Sequence, residues 1–559
     1  MTSDTGKIGP LPNAFGENED HYWDDDDGTA AKPLVELEMV ALSGTLRSKP
    51  SWWTKFRDPE ILAKWRAEAL EQANLMKESH IDYVLAELDG YANLRDEETG
   101  AEVACYDRIW QSDRLVPPAL NEKLKSSVSK LENIPDNEKD WHPSSNEMVL
   151  DLVHPSLYPV VYGRTMAYPE GATDRDPSKL AIIPPPVINE SSRWEHEANY
   201  HVSRKFQWLP TDFAVSEDGK SANSASYINN LHPDHHRDLH QAVEGLIGSF
   251  LPLFERVLTD SIPANRAVPE RTNNSYSYKD DYRPSPSYQL RSDRNEYHRL
   301  YEEWSEGRPI CLPDVDSKGY ELGSLEKRDV WYSLGGKTIQ VIVKLANIHL
   351  TPQKPEYAGG SWHVEGMSNE SIAVSGIYYY DEENITESRL AFRTAAAVPG
   401  SYEQSDERGC KLTWGISTDE PCVNELGAVV TCQDRAIAFP NIYQHRVSPF
   451  QLQDKTKPGH RKIVALFLVD PAVHIPSTTR VPPQQHDWRA NAVFENANLK
   501  TALGKLAPEI VNHINTLAEG TMSREEANAY RLELMEERKT FVVKNDEKFF
   551  EVAFSMCEH

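Results

Sequence analysis

The chain has 559 residues, a formal net charge of −28 and a hydrophobic content of 39%, enough for one large domain with helical additions or for two to three domains. The negative charge argues against nucleic acid and against an anionic membrane surface as the main partner. No apolar stretch approaches the length of a membrane span, and the N-terminal residues are polar and acidic. We therefore expect a cytoplasmic protein without a secretory signal.

The first 330 residues are predicted to be an acidic arm followed by a helical and mixed region. Residues 1–33 combine Pro, Gly and Asn with the run Asp24–Asp27, a composition typical of a disordered, loosely attached segment. Within 34–330, Asp58-Pro59-Glu60 predicts the start of a helix, because Asp is a favoured N-cap and Pro a favoured first helical residue. We expect this region to pack on a larger core.

A histidine-rich segment, Leu231–His240, is predicted to open a long amphipathic helix and offers a rival metal site. His236 and His240 lie one turn apart, and a helical pair of this spacing can bind zinc. The segment lacks the glutamate of the His-Glu-x-x-His proteases, and histidines at a helix start are usually a polar helix end. We therefore favour a structural role here and leave His232 as a residue that could line a pocket.

Residues 331–480 contain β-branched and aromatic runs and are predicted to form the catalytic core. The strands expected from these runs cover 338–345, 372–380, 436–439 and 462–469. Residues 481–559 are predicted to be a C-terminal helical extension, in which Ser523-Arg-Glu-Glu526 has the pattern of a capping box.

The segment Gly359-Gly-Ser-Trp-His-Val-Glu-Gly366 lies between the first two of these strands and carries His363 and Glu365. Side chains at i and i+2 of an extended segment point to the same side, so both can reach one ion. The pattern His-x-acid is weak evidence by itself, because it also begins at His80 and at two residues of the histidine-rich segment. The flanking strands single out His363.

His445 and Arg461 complete this constellation, since His445 follows the third strand and Arg461 precedes the fourth. Two imidazoles and one carboxylate can occupy one face of an octahedral Fe(II) ion and leave positions for a keto acid and O2. A guanidinium can then pair with the far carboxylate of the keto acid. This order of strands and ligands is the one that a double-stranded β-helix needs. The predicted fold class is therefore α+β, with a jelly-roll or cupin-like core of that type and helical additions at both ends.

Three longer blocks carry a resemblance to a known family: Ser226–Pro233, Gly359–Glu370 and Pro458–Pro471. They resemble a family of large proteins of unassigned function, found chiefly in filamentous fungi. The resemblance spans most of the chain after the acidic arm. It implies a cytosolic protein whose core is similar to the iron- and 2-oxoglutarate-dependent oxygenases.

By that resemblance the metal ligands are His363, Glu365 and His445, and Arg461 anchors the keto acid. Two features depart from the broader superfamily. Many members use His-x-Asp, whereas this chain has Glu, as does the histone-demethylase-like branch. The usual Arg-x-Ser anchor is absent as well, because Lys and Ile follow Arg461. Lys344, on the strand before the metal ligands, is a second possible anchor or simply a lysine at a strand edge.

These observations predict a non-haem Fe(II)- and 2-oxoglutarate-dependent oxygenase that uses O2 to hydroxylate or otherwise oxidise a small organic substrate. Two alternatives stay open: a keto-acid-independent, cupin-like dioxygenase or isomerase in which Arg461 binds a substrate carboxylate, and a non-enzymatic binding protein on a β-sandwich. Four aromatic residues could face the substrate or serve only as packing: Trp362, Tyr378, Tyr380 and Phe439. The sequence leaves the substrate and the oligomeric state open.

Overall fold

The structure, a computed structural model, describes residues 9–15, 30–172, 174–188, 199–265, 267–286, 294–488, 506–507, 509–510, 513 and 520–556. The α-helices of this described part are α1 (Leu34–Arg47), α2 (Trp52–Lys55), α3 (Pro59–Gln72), α4 (Glu78–Leu94), α5 (Pro118–Glu132), α6 (Arg237–Asp260), α7 (Arg294–Gly307), α8 (Glu407–Trp414) and α9 (Arg524–Asn545). Seven of them precede the strand-rich region.

The β-strands of the described part fall into an N-terminal and a central set. The N-terminal set is β1 (Glu102–Val103), β2 (Trp110–Ser112), β3 (Val149–Val153), β4 (Val160–Val161), β5 (Met166–Ala167), β6 (Ala181–Ile182), β7 (Phe206–Gln207), β8 (Thr211–Val215), β9 (Ala222–Ser224), β10 (Ser277–Tyr278) and β11 (Ile310–Cys311). The central set is β12 (Thr338–Leu350), β13 (Glu356–Tyr357), β14 (Ile372–Glu383), β15 (Ser388–Ala395), β16 (Val423–Thr431), β17 (Ala436–Pro440), β18 (Gln444–Val447), β19 (Phe450–Gln451) and β20 (Gly459–Val469).

One large sheet and two smaller ones contain the whole central set. The large sheet has the order β1-β2-β17-β14-β20-β12-β8-β9, and β3 also pairs with β12. The smaller sheets have the orders β16-β15-β18 and β13-β19. Every pairing in these sheets is antiparallel. Along the chain, the central strands therefore pass repeatedly from the large sheet to a smaller one and back.

The large sheet is buried on one face by α6. Alternate residues of β12, namely Val341, Val343 and Leu345, belong to the same hydrophobic cluster as the buried face of this helix. Gly376 of β14 allows the close approach, because a Cβ at this position would lie 2.9 Å from ring atoms of both Phe250 and Phe254. Any larger residue would push the helix off the sheet.

The opposite face of the large sheet shares a core with β15 and β16. Ile342, Ile377 and Phe467 of the large sheet belong to a cluster that also contains aromatic and aliphatic side chains of these two strands. The rings of Phe392 and Phe439, one from each sheet, lie 4.9 Å apart in an edge-to-face arrangement, which is a favoured aromatic geometry. We call this face of the large sheet the inner face.

The four predicted core strands are confirmed as β12, β14, β17 and β20, and each is longer than the sequence pattern indicated. The predicted helix start at Asp58 is confirmed too, because its side chain accepts the backbone N–H of Glu60 and of Ile61. The described part is thus a mixed structure of helices and antiparallel strands. None of its helices is both long enough and apolar enough to cross a membrane.

The N-terminal arm differs from expectation where it is described. Ala14 and Ala31 are 1% exposed and belong to two hydrophobic clusters. The amide of Asn424 holds the chain next to Ala31 by accepting the backbone N–H of Lys32 and donating to the carbonyl of Ala30. Small apolar residues embedded in the acidic composition provide these attachments. The acidic run Asp24–Asp27 lies outside the described residues.

The C-terminal extension packs on the core through α9. Ser523 caps the helix by accepting the backbone N–H of Glu526, which confirms the predicted helix start. Two arginines of α9 then reach buried carboxylates of the strand-rich region: Arg531 pairs with Asp151, and Arg538 lies 2.6 Å from Glu370. The helix therefore covers the inner face at the edge formed by β3.

Candidate metal centre

The backbone brings His363 and His445 together. His363 lies in the segment between β13 and β14, and His445 lies in β18. Each donates its backbone N–H to the carbonyl of the other, at 3.3 Å and 3.0 Å, and the two imidazole rings lie 4.4 Å apart. This short antiparallel bridge couples residues that are far apart in sequence.

Two further contacts fix the segment that carries the predicted ligands. The side-chain amide of Asn441 accepts the backbone N–H of Glu365 and donates to its carbonyl, both at 2.9 Å. Gly359, with φ +88°, passes so close to β18 that a Cβ would lie 2.7 Å from the carbonyl oxygen of Val447. Glycine is the residue that tolerates both the conformation and the approach.

The side chains of His363, Glu365 and His445 converge. Their potential ligand atoms all lie within 4.8 Å of one another. The Nε2 atoms of His363 and His445 lie 3.6 Å and 3.5 Å from Oε1 of Glu365. Nδ1 of His363 lies 2.9 Å from the carbonyl of Ser361, so Nδ1 carries a proton that it donates there, and Nε2 is the nitrogen that faces the other two groups. Nδ1 of His445 is buried without a partner among the described residues.

The electrostatics of the three groups suit a cation. Burial raises the pKa of Glu365, but its contacts with the two imidazoles outweigh burial and hold the pKa well below its usual value. Burial, with the charge of His363, lowers the pKa of His445 to about 4, so this ring is neutral. Burial alone would lower the pKa of His363, and Glu365 reverses that direction. An ionised carboxylate and imidazole nitrogens are a suitable donor set for Fe(II).

The centre is open on one side. The side chain of His363 is 34% exposed, whereas those of Glu365 and His445 are 13% and 5% exposed. Phe439 packs against the buried side, with its ring 4.9 Å from that of His445. A ligand from solvent would therefore approach past His363.

Arg461, the predicted keto-acid anchor, is already engaged. It lies on the inner face of β20, is 2% exposed, and pairs with Glu382 through Nη2 at 2.9 Å and Nε at 3.2 Å. Its Nη1 donates to Ser388 at 2.6 Å. Arg461 also lies six residues along β20 from Phe467. Phe467 is level with Phe439 across the sheet, because both stand opposite Ser375 of β14. The separation of Arg461 from Phe467 is about 20 Å at the rise of a strand.

Lys344, the second predicted anchor, lies closer to the centre. It lies on the inner face of β12, opposite Ala465 of β20. The preceding inward-facing residue of β12 is Ile342, which lies opposite Phe467. This step along the strand is about 7 Å. Burial is the main cause of the low pKa of His445, and the charge of Lys344 adds to it; the same charge opposes the rise in the pKa of His363 that Glu365 causes. Of the described residues, none is hydrogen-bonded to or ion-paired with its ammonium group.

Sequence reasoning missed a second group of two histidines and a carboxylate. His142, Asp151 and His154 also have ligand atoms within 4.8 Å of one another. The pairing of β3 with β12 creates this group, because Asp151 stands opposite Ala346 on the inner face. His142 and His154 flank β3 at spacings that match no motif, so the sequence contains no local signal for them.

The rival histidine pair does not form a metal site in the described residues. Helix α6 begins at Arg237, so His236 is its N-cap instead of a helical residue. Nε2 of His240 lies 3.1 Å from the carbonyl of Leu231, and His232 stacks on His235 at 3.9 Å. The two groups described above are those that bring three ligand atoms together in this part of the chain.

Of the four aromatic residues considered for contact with the substrate, Phe439 packs against the candidate metal centre. The other three contact residues elsewhere in the protein. Tyr378 and Tyr380 belong to the cluster beneath α6, on the opposite face of the large sheet. Trp362 lies between two arginines, Arg393 and Arg446, whose guanidinium carbons are 4.9 Å and 4.4 Å from its ring centre.

The described residues thus form an α+β protein with a candidate centre of two histidines and one carboxylate. The chain belongs to the family described as a protein of unknown function (DUF4246), which matches residues 78–492. The domain described as DUF4246, N-terminal, also of unknown function, matches residues 9–68. These matches confirm the resemblance to a family without an assigned function. No curated protein matches the chain.

Three solved structures show distant likenesses. The Fe(II)/α-ketoglutarate-dependent dioxygenase TqaL is 8% identical over 77% of this chain and 95% of its own, with a TM-score of 0.24. IDO from Bacillus thuringiensis is 9% identical over 24% of this chain and 46% of its own, with a TM-score of 0.16. Oxalate decarboxylase from Lactobacillus farciminis is 10% identical over 39% and 56%, with a TM-score of 0.12. This chain spans less than half of IDO, and TM-scores this low support no argument about activity.

Proposed function

We propose that the protein is a non-haem Fe(II)- and 2-oxoglutarate-dependent oxygenase that hydroxylates or otherwise oxidises a small organic substrate. The observation that carries the proposal is the convergence of His363, Glu365 and His445, with the carboxylate ionised and His445 neutral. Two imidazoles and one carboxylate on one face of the ion leave other positions open, which is the donor set of non-haem Fe(II) oxygenases.

The strand order supports a double-stranded β-helix as the core. Strands β12, β14, β17 and β20 belong to the large sheet, and the strands between them belong to the smaller sheets. This alternation, with the two sheets sharing one hydrophobic core, is the winding that the double-stranded β-helix requires. The candidate ligands lie on the segment before β14 and on β18, at one end of that winding.

The chain's own residues would hold and orient the ion. Iron, once bound, supplies the oxidising chemistry with O2 and the keto acid. The carbonyl of Ser361 binds Nδ1 of His363 and so keeps Nε2 directed at the site. Asn441 fixes the backbone of Glu365. Phe439 excludes water behind His445, because it is fully buried and packs against that ring.

The position of the keto acid follows from the two candidate anchors. Lys344 is near the centre and has no hydrogen-bond or ion-pair partner among the described residues, whereas Arg461 is paired with Glu382 and Ser388. The backbone of Arg461 lies six residues along β20 from Phe467, about 20 Å at the rise of a strand. A free ammonium can attract the far carboxylate of 2-oxoglutarate without first breaking an ion pair. We therefore favour Lys344 as the anchor, and Arg461 stays a prediction to be tested beside it.

Anaerobic titration tests the proposal directly. Purified protein is loaded with Fe(II), 2-oxoglutarate is added, and the visible charge-transfer band of the chelated keto acid is recorded. Oxygen is then admitted and succinate is measured without any added substrate. A band and succinate from the parent protein, both lost in His363→Ala, are the expected results. Iron uptake without a band would contradict the keto-acid reaction.

A second candidate function keeps the metal and omits the keto acid. The occupied guanidinium of Arg461 is the observation that favours it, because the predicted keto-acid anchor is already paired. In that case the protein is a cupin-like dioxygenase or isomerase, and Arg461 would bind a substrate carboxylate, as predicted from the sequence, only by giving up its pairing with Glu382. The same titration separates the two, since only the keto-acid-dependent enzyme gives the band and succinate.

A further inference from the structure

A cavity of about 650 Å³ lies on the α6 side of the large sheet. Its wall consists of Tyr83 of α4 and of residues from the segments 267–273 and 314–325. Tyr83 and Leu325 pack in the hydrophobic cluster of α6, whereas Phe439, beside the candidate metal centre, belongs to the cluster on the inner face. Sites for small molecules measure about 300 to 1,000 Å³. The cavity is therefore large enough for a small organic ligand and is separate from the metal centre.

Arg271 forms the buried end of this cavity and is 2% exposed. Its Nε donates to Glu87 at 2.9 Å, and its Nη2 donates to Tyr91 at 2.7 Å and to Asp107 at 3.3 Å. The remaining nitrogen, Nη1, is buried and has no hydrogen-bond partner among the described residues. A buried N–H donor without an acceptor is costly, so a ligand that brings an acceptor to Arg271 removes that cost.

The charges around Arg271 are already balanced. Burial would lower the pKa of Arg271, but Glu87, Tyr91 and Asp107 outweigh burial and hold the pKa well above its usual value. Burial raises the pKa of Glu87, and the charges of Arg271 and Arg47 oppose that rise. Two buried carboxylates thus face two guanidinium groups. Arg271 still offers a ligand one charge-assisted hydrogen bond, for which a carboxylate oxygen is a strong acceptor.

Tyr83 adds an aromatic wall and a second donor. Its ring packs edge-to-face against Tyr320, with centroids 5.6 Å apart. Burial raises the pKa of Tyr83 and the charge of Arg271 opposes the rise, so the hydroxyl is neutral and lies within the field of the guanidinium. No described residue accepts a hydrogen bond from this hydroxyl. Arg271 and Tyr83 can therefore donate to the same carboxylate.

The exposed end of the cavity has the opposite charge. Glu270, Asp316 and Glu321 line it, and all three are exposed. None of the three carboxylates forms an ion pair within the described part of the chain. Asp314 lines the same cavity but is paired with Lys77 at 3.0 Å. A cation at this end would meet three carboxylates that have no counter-charge of their own.

We propose that this cavity binds a linear zwitterion of the basic amino-acid class. The ligand carboxylate accepts from Arg271 and Tyr83, and the side-chain cation lies among Glu270, Asp316 and Glu321. A long ligand is needed because the donors are at the buried end and the acids are at the exposed end. The site does not share a residue with the metal centre, so its ligand binds whether or not iron is present.

Calorimetric titration of the metal-free, full-length protein with L-lysine tests the site. Two matched ligands each lack one charged group: L-norleucine has no side-chain ammonium, and 1,5-diaminopentane has no carboxylate. Arg271→Lys keeps the positive charge and removes Nη1, and Tyr83→Phe removes the hydroxyl. A triple variant, Glu270→Gln with Asp316→Asn and Glu321→Gln, removes the charge of the exposed end.

The control for the triple variant removes the same charge from exposed residues outside the cavity. It combines Glu97→Gln, Glu122→Gln and Glu302→Gln. A second control is His363→Ala, which alters the metal centre and leaves the cavity intact. Both controls should bind L-lysine like the parent protein.

We expect the parent to bind L-lysine at least about tenfold more tightly than either matched ligand, as for the loss of one charged contact. Arg271→Lys should weaken L-lysine by about tenfold to a hundredfold, and Tyr83→Phe by about fivefold. The triple variant should weaken it by about tenfold, because three exposed carboxylates each contribute a small amount.

Three results would overturn the proposal. The first is that the parent does not bind L-lysine, or binds 1,5-diaminopentane or L-norleucine equally well. The second is unchanged affinity in Arg271→Lys or in the triple variant. The third is loss of binding in His363→Ala, which would place L-lysine at the metal centre. Circular dichroism and melting temperature show whether each variant is folded, and if Arg271→Lys is not, Tyr83→Phe and the triple variant decide.

Discussion

Two groups on this molecule contain the same residue types, two histidines and one carboxylate, and differ in what already holds the carboxylate. Glu365 is contacted by His363 and His445, through imidazole nitrogens that a metal can share. Asp151 is held by Arg531 from α9 and by His142. The first carboxylate is therefore available to a cation, and the second already has one. The partner of the acid, more than the residue types, therefore decides between a metal site and an ion pair.

The largest expected effect separates the two groups by iron content. His363→Ala and His445→Ala should each remove tight Fe(II) binding while the protein stays folded, because each loses one of three ligands at a site between sheets. His142→Ala, the matched control, should bind iron like the parent. Iron is measured after anaerobic loading and desalting. Full iron in both of the first variants, or loss of iron in the control, would show that Glu365 is not the carboxylate that holds the metal.

The second prediction concerns the arginine that distinguishes the Asp151 group. Arg531→Met leaves Asp151 buried without its counter-charge, so we expect the free energy of unfolding to fall by about 3 to 5 kcal/mol. Arg524→Met is the control, because Arg524 contacts the same cluster through Asp140 but is 50% exposed. Its loss should cost less than about 1 kcal/mol. Denaturant unfolding followed by fluorescence measures both, and equal effects would show that burial is not the cause.

A third prediction concerns how Glu365 is held in the absence of an arginine. Asn441→Ala removes the two hydrogen bonds that fix the backbone of Glu365, so iron affinity should weaken by about ten- to a hundredfold, as for the loss of groups that orient metal ligands. Competition with a chelator of known affinity measures the change. Unchanged affinity would mean that the bridge between His363 and His445 is sufficient by itself.

The smallest expected effect concerns a further buried arginine and carboxylate, Arg461 and Glu382. Arg461→Lys keeps the charge but loses the bidentate geometry and the bond to Ser388, so we expect a loss of about 1 to 2 kcal/mol in unfolding free energy. The affinity for 2-oxoglutarate should not change. If that affinity instead falls while iron binding survives, Arg461 is the keto-acid anchor and Lys344 is not.

Local patterns were sufficient for much of the fold. Four core strands, the helix start at Asp58 and the cap at Ser523 each depend on neighbours within a few residues, and all are found in the structure. The same holds for His363 and Glu365, because their spacing places both on one side of an extended segment. The same spacing predicts a shared side only where the segment is extended. At His80 the same His-x-acid spacing lies in α4, where Asp82 pairs with Arg66.

The packing of the N-terminal arm could not be predicted from these local patterns. Composition predicts a loosely attached segment. Because composition is an average over many residues, it does not reveal the contribution of single small apolar residues. Ala14 and Ala31 are buried because other elements provide surfaces for them, the first near Phe541 of α9 and the second near Trp414 of α8. No property of residues 1–33 contains that information.

Residue type, spacing and strand order were sufficient to identify the candidate ligands His363, Glu365 and His445, because all three can be read along the chain. The packing of distant segments determines which basic side chains are left without an ion-pair partner. Strand register places Arg461 opposite Glu382 and leaves Lys344 opposite Ala465, and the pairing of β3 with β12 brings in Asp151 and, beside it, His154. Register is a choice between distant segments, made by the burial of alternate side chains on the two faces of a sheet. A chain pattern predicts that a strand forms, and only the packed sheet shows which side chains meet across it.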